Sequence, residues 1–95
     1  MAPPLYRDRR TARFTVGEFV KEFQAIERPA ERKLRILAAA RSLGDLRAIP
    51  GNRLEKLSGN RAGQYSIRIN DQYRLCFEWP DDETGACQIE ITEYH

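Results

Sequence analysis

The feature that most limits the fold of this chain is a change of hydrophobic period midway along it. In the first half, Val16, Phe19, Val20, Phe23 and Ile26 fall at i, i+3, i+4, i+7 and i+10. That spacing predicts an amphipathic helix. Arg28-Pro29 ends the run, because proline cannot continue a helix yet suits the first turn of a new one. A second helix is expected from there, with Ala30, Leu34, Leu37 and Ala38 toward a core and Arg32, Lys33 and Arg35 outside. Ser42-Leu43-Gly44-Asp45 has the form of a capped extra turn.

From Arg53 onward the period drops to two, the spacing of strands. Arg53 to Leu57 reads as a short strand and Ser58-Gly59-Asn60 as a turn. Between Gln64 and Asn70, the residues Tyr65, Ile67 and Ile69 share one face, while Gln64, Ser66, Arg68 and Asn70 share the other. Asn70-Asp71-Gln72 is hairpin chemistry, since Asn and Asp tolerate positive φ. Tyr73, Leu75, Phe77 and Trp79 then lie opposite Arg74, Cys76 and Glu78, and a polar loop from Pro80 to Ala86 leads to a last strand, Gln88 to Glu93. A short strand is also expected around Leu5-Tyr6. The fold predicted is α+β: two N-terminal helices packed on one face of a small antiparallel sheet, in a single domain spanning residues 1–95.

Charge and cysteine usage narrow the function classes. Net charge is only +2, but residues 1–41 hold ten Lys/Arg against five Asp/Glu, whereas residues 80–95 hold five acids and no Lys or Arg. A basic body with an acidic end fits a polyanionic ligand, and a solvated basic face explains it equally well. Cys76 and Cys87 are too few for a disulfide framework and lack metal-ligand spacing. Cys76 is expected to fill the core as a small hydrophobe. Asp81, Asp82 and Glu83 cluster in a loop bounded by Pro80 and Gly85 with no second ligand group nearby, so neither a metal nor another cofactor is expected. No apolar stretch resembles a signal sequence or could span a membrane, which places the chain in the reducing cytoplasm.

Strand alternation brings two arginines into consideration. Arg68 and Arg74 lie on neighbouring hairpin strands, each pointing away from its strand's apolar face. They are expected to converge on the open side of the sheet, where paired guanidiniums suit a phosphate and the charge that builds on it. The alternative is two cross-strand ion-paired arginines, with Glu78 or Glu90 as partner. The only histidine, His95, ends a strand expected to sit within the sheet. Its imidazole suits proton transfer near neutral pH, with Tyr94 beside it. Lys56 and Arg61 flank the turn before the long hairpin and are candidates for a backbone phosphate.

Several segments match one family in order and spacing. Asp45-Leu46-Arg47, Pro50 to Glu55, Gly59 to Asn70, Gln72 to Phe77 and the terminal Tyr94-His95 resemble the HigB family of the RelE superfamily. Arg7 to Phe14, Ala30 to Leu34 and Leu37 to Ala40 resemble it as well. The resemblance implies a RelE-like fold and a toxin–antitoxin pair: a ribosome-dependent, metal-independent endoribonuclease held inactive by a helix-turn-helix HigA-type antitoxin. The partners implied are the 70S ribosome and messenger RNA, with DNA reached only through the antitoxin. In such toxins the ribose 2′-hydroxyl attacks the adjacent phosphate, leaving a cyclic phosphate and a free 5′-hydroxyl. Carried onto this chain, Arg68 and Arg74 hold the scissile phosphate, His95 with Tyr94 handles proton transfer and orientation, and Gln72 lies beside the site. One departure stands out. Many relatives carry Leu-Lys-Gly where this chain has Leu57-Ser58-Gly59, leaving Lys56 or Arg61 to supply the basic group. That absence keeps a second reading in play, a non-catalytic module of the same fold that binds ribosome, RNA or antitoxin without cutting. A DNA-binding repressor is a third, although no helix-turn-helix spacing supports it.

Overall fold

A computed structural model describes residues 5–80 and 85–93. Helix α1 spans Arg9–Thr15, α2 Glu27–Ala39 and α3 Leu43–Arg47. Strands β1 (Glu55–Lys56), β2 (Gln64–Arg68), β3 (Tyr73–Glu78) and β4 (Cys87–Glu93) form one antiparallel sheet in the order β1-β2-β3-β4. The α+β class expected from the period change is therefore found. No helix among the described residues is long and apolar enough to cross a membrane.

The first helix is not where hydrophobic spacing put it. Asp8 caps α1 by accepting the Thr11 amide at 3.3 Å. The helix then closes with Gly17 N–H donating to Phe14 O and Glu18 N–H to Arg13 O, both at 3.1 Å. These paired bonds around a glycine at φ 87° end a helix and reverse the chain. Val16 and Phe19, expected on a buried stripe, are 73% and 65% exposed. Val20, Phe23 and Ile26 are buried, and they sit three residues apart. That spacing matches the 3₁₀ helix Lys21–Ile26 in which Phe23 and Ile26 lie. Phe23 is fully buried and meets Phe14 and Tyr73 edge-on, with ring centroids 5.7 and 6.4 Å away. Arg28-Pro29 falls in the first turn of α2, as proline chemistry requires. Ala30 and Leu37 are buried and Leu34 half-buried, while Ala38 is exposed instead of facing the core.

The sheet's apolar face is a set of cross-strand columns. Ile67 pairs with Leu75 and Leu75 with Ile91, and all three are fully buried. With Phe77, Ile69 and Ile89 they join Phe14, Phe23, Ile26, Ala30, Leu37 and Leu46 in one buried cluster. β4 ends the strand order instead of lying inside it, and its outer edge is covered. Tyr6 bridges Ile89 in parallel, Ile89 exchanges 2.9 Å bonds with Leu5 O and Arg7 N–H, and the buried Thr11 hydroxyl accepts the Ile91 amide at 3.0 Å. The short strand expected at Leu5-Tyr6 is thus a single bridge that blunts an exposed edge. Met1 to Pro4 lie outside the described residues.

Two turns depart from expectation. The β2–β3 turn uses no positive φ at Asn70 or Asp71. Instead Asn70 Oδ1 accepts the amides of Gln72 and Tyr73, each at 2.8 Å, so the side chain mimics a backbone turn. Between Cys76 and Glu78 the β3–β4 register shifts, with Gln88 at φ 52°. This bulge pairs Cys87 with Glu78.

One buried polar residue joins three elements. Asn52 is fully buried. Its side chain donates to Leu46 O at the end of α3 (3.0 Å) and accepts from Lys33 Nζ on α2. Its carbonyl accepts the Arg68 amide of β2 at 2.7 Å. Burial, with Arg32 and Arg68 nearby, lowers the Lys33 ammonium pKa. Replacing Asn52 by Ala strands the Lys33 ammonium and a buried carbonyl, and is expected to cost about 2 kcal/mol. Urea denaturation of N52A beside the wild type measures this, and an unchanged midpoint refutes the junction.

Candidate active site

The second face of the sheet holds the candidate site. Register places Glu55, Ser66, Cys76 and Glu90 in one transverse row, with Arg68, Arg74 and Thr92 in the next. Arg68 and Arg74 are direct cross-strand partners, so the alternation that put both on one face holds. That face is not open, however. Gln64, Ser66, Arg74 and Cys76 are all buried. The Arg53 carbonyl and the side chain of Arg61 lie against it, and beside them is a half-open cavity of about 490 Å³ lined by Glu55, Lys56, Ser58, Arg61, Cys76 and Glu93 among others.

Arg74 is held firmly beside this cavity. Its Nε donates to Ser66 Oγ at 2.8 Å and its Nη2 to Arg53 O at 2.7 Å, while Nη1 lies 3.9 Å from Glu55 Oε1. The Arg53 carbonyl is aimed there by a left-handed backbone, φ 47°, which a residue with a Cβ adopts only under constraint. With its side chain 7% exposed, this guanidinium is a buried cation anchored by two hydrogen bonds. Such a group stabilises developing negative charge without rearranging first. Among the described residues it pairs with Glu55, where Glu78 or Glu90 was the expected partner.

Arg68 faces the other way along the same face. Its guanidinium is bound by Asp71 in the hairpin turn and is about one-third exposed. Gln72 is exposed in that turn, engaged through its backbone amide to Asn70 Oδ1. Arg68 and Gln72 therefore form the hairpin end of the face, apart from the residues that line the cavity.

Lys56, Ser58 and Arg61 do meet at the cavity. Arg61 reaches across the sheet, donating to Gln64 Oε1 and to Glu90 Oε1 at 3.0 Å each. The Glu90 bond raises the pKa of its guanidinium. Ser58 precedes the 3₁₀ turn Gly59–Arg61, so the position where the family resemblance led to the expectation of a lysine lies on the cavity wall. Lys56 pairs with Tyr65 of the apolar face, whereas Glu55 pairs with Ser66 of the polar face. By register Glu55 is thus the β1 side chain directed over the site, a residue that motif reading passed over. Its signal was parity with Ser66, which requires knowing the β1–β2 register. Tyr94 and His95 lie outside the described residues. The strand leading to them, β4, ends at Glu93 on the cavity wall. Among the described residues no group of three or more potential metal ligands is present.

Comparison with known proteins agrees in kind. Residues 8–92 match the family of HigB-like toxins, described as the RelE-like toxin of the type II toxin–antitoxin system HigB. Toxin HigB-1 of Vibrio cholerae serotype O1 is 56% identical over 57 residues, 60% of either chain. An uncharacterized protein of Haemophilus influenzae is 36% identical over 64 residues, 67% of this chain and 63% of its own. The matched segments thus span about 60% of the length of these two relatives.

The thiol on the cavity floor tests the geometry independently. Cys76 is 2% exposed, and burial pushes its pKa up, the opposite of what an activated nucleophile needs. In the native chain Cys76 is expected to resist an aromatic disulfide reagent at mildly alkaline pH and to react fully once unfolded. Native reaction at the rate of a free thiol contradicts a closed floor.

Proposed function

The chain belongs to the HigB-like toxins, the RelE-like toxins of type II toxin–antitoxin systems, and from that premise we propose that it is a ribosome-dependent endoribonuclease cutting translated messenger RNA. The observation that carries this reading is Arg74, a buried guanidinium anchored by two hydrogen bonds beside a polar cavity large enough for part of a nucleotide. In-line attack of a ribose 2′-hydroxyl on its own phosphate needs no metal. It needs charge stabilisation at phosphorus, proton transfer at two oxygens and a fixed geometry.

In this proposal Arg74 and Arg68 take the phosphate between them, with Asp71 yielding Arg68 to it. His95, with Tyr94, moves and orients the proton. Lys56, Arg61 and Gln72 contact the flanking message. A cyclic phosphate and a 5′-hydroxyl are left behind. The natural partner is a helix-turn-helix antitoxin of the HigA type, through which any DNA contact runs, and the site of action is the cytoplasm. A second reading is a RelE-fold module that binds ribosome, RNA or antitoxin without cutting. It is favoured by Ser58, which puts a hydroxyl on the wall where the family resemblance implies an ammonium.

The deciding experiment is primer extension on a defined message in a reconstituted translation system, with and without ribosomes. Cuts phased to the reading frame are expected only with ribosomes. Arg68→Ala and deletion of His95 are each expected to lower cutting about 100-fold while the chain remains folded. Absence of cuts from a folded, ribosome-bound wild type establishes the binding-module reading instead. Full activity in both variants removes Arg68 and His95 from the site.

A further inference from the structure

We propose that Arg32 and Lys33 of α2, beside Arg68 of β2, hold a backbone phosphate of RNA at a place outside the polar cavity. The proposal concerns holding RNA, so it goes beyond the cleavage reading and stands whether or not the chain cuts.

The basic residues of the helical half fall into two groups. Arg7, Arg10 and Arg13, in and just before α1, each meet a carboxylate: Glu90 at 3.8 Å, Glu22 at 3.2 Å and Glu18 at 3.6 Å. Their charge is spent inside the chain. Among the described residues, Arg32 and Lys33 form no salt bridge. Lys33 is also unlike a loose surface lysine. It is half-buried, and its ammonium donates to the Asn52 carboxamide, which is itself locked against α3. An ammonium carries three N–H donors, so two remain once Asn52 has taken one. Burial, and then the charges of Arg32 and Arg68, lower the Lys33 pKa. Both of those neighbours are cations.

Three positive groups are therefore gathered at one place, on α2 and β2, and none of them lines the cavity. The carboxylate bound there is Asp71, on Arg68. Its side chain is 97% exposed, and an ion pair so open to water is worth little. An anion settling among the three relieves their mutual repulsion and meets an ammonium that Asn52 has already positioned. Lysine serves phosphate as a point charge, and Arg68 adds directional donors beside it.

Continuity with the candidate site favours RNA over an acidic protein segment. Arg68 is the cross-strand partner of Arg74, so the cationic seam runs off that face at its hairpin end. A strand lying along the face passes Arg68 and meets Lys33 and Arg32 next. A phosphodiester backbone repeats its charge at each unit and so supplies an anion at both places.

Binding of the full chain to a short oligouridylate, followed by fluorescence anisotropy across a salt series, tests this. Lys33→Gln keeps an N–H for Asn52 while losing the charge, and Arg32→Ala changes an exposed residue. Each is expected to bind about 5-fold more weakly near about 20 mM salt, with the log–log salt slope reduced by about 0.7, one phosphate contact on a single strand. Lys21→Gln, at an exposed lysine away from the seam, is expected to keep the wild-type slope. An equal loss in K21Q reduces the effect to diffuse charge and overturns the site. Wild-type slopes in K33Q and R32A overturn it as well, as does weaker binding by K33Q with no change of slope, which is a structural effect through Asn52. Competition by polyglutamate as effective as that by RNA assigns the seam to an acidic protein and overturns the RNA proposal. Repeating K33Q on 70S ribosomes, with the message either filling the decoding site or ending before it, separates the sources. A defect seen only with the message in place assigns the phosphate to the message, and one seen in both assigns it to ribosomal RNA. Absence of cutting on those ribosomes removes the ribonuclease reading and leaves the oligouridylate result standing.

Discussion

Everything distinctive about this molecule depends on the register of the β2–β3 hairpin. Ile67 stands opposite Leu75, Ser66 opposite Cys76, and Arg68 opposite Arg74. A slip of one residue exchanges the two faces of a strand, which here would drive Arg74 into the hydrophobic cluster and Leu75 onto the polar side. The register is secured from both ends. At the turn, the Asn70 carboxamide takes two amides that would otherwise be unpaired. Along the strands, fully buried Ile67, Leu75 and Phe77 have no other apolar surface to occupy. Packing thus chooses the face, and the face chooses where the guanidiniums lie.

Burying Arg74 is expensive, and the cost explains the loop in front of it. An arginine taken out of water is tolerated only when its donors are met. Ser66 from the neighbouring strand and the Arg53 carbonyl from the loop each take one of them. For that carbonyl to point correctly, Arg53 adopts φ 47°. Its predecessor Asn52 is locked by Leu46, Lys33 and the Arg68 amide. The helical layer therefore reaches the polar site through one chain of contacts. It runs from α2 and α3 to Asn52, then through Arg53 to Arg74. A group held in this way keeps its orientation when a ligand arrives, at the expense of a strained residue, and strain of this kind gathers where function needs a fixed geometry.

The sequence made some of this legible, and the reasons for the failures are physical. The switch from helical to strand period gave the fold class, and strand parity placed Arg68 and Arg74 on one side, because alternation is a local property of a strand. The helix assigned from Val16 was misplaced because i, i+3 spacing serves a 3₁₀ helix as well as an α-helix. Gly17 ends one helix there before the next begins. Asn70 and Asp71 were rightly assigned to a turn for the wrong reason, since the Asn70 side chain and not positive φ closes it. The open side expected around the arginines holds for Arg68 only in part, while Arg74 is buried. Its burial depends on the path of Asn52 and Arg53, which is tertiary information. Glu55 went unnoticed for the same reason. In a two-residue edge strand, alternation has no length over which to declare itself, and only pairing with Ser66 fixes its side.

The charges around the cavity bear on why such a site would act on a message only when the ribosome presents it. Lys56, Arg61 and Arg74 line or adjoin it, but Arg74 faces Glu55 and Arg61 is held by Glu90, with Glu93 on the same wall. Position 58 contributes a neutral serine to this balance. Exposed charges are screened within about 8 Å at physiological ionic strength, so a nearly neutral cavity exerts little pull on free RNA. On the proposed reading, affinity is then supplied by the ribosome, which holds the message in place. On the same reading the chain contributes what a preorganised site contributes best, a fixed guanidinium that acts only once the linkage is set beside it.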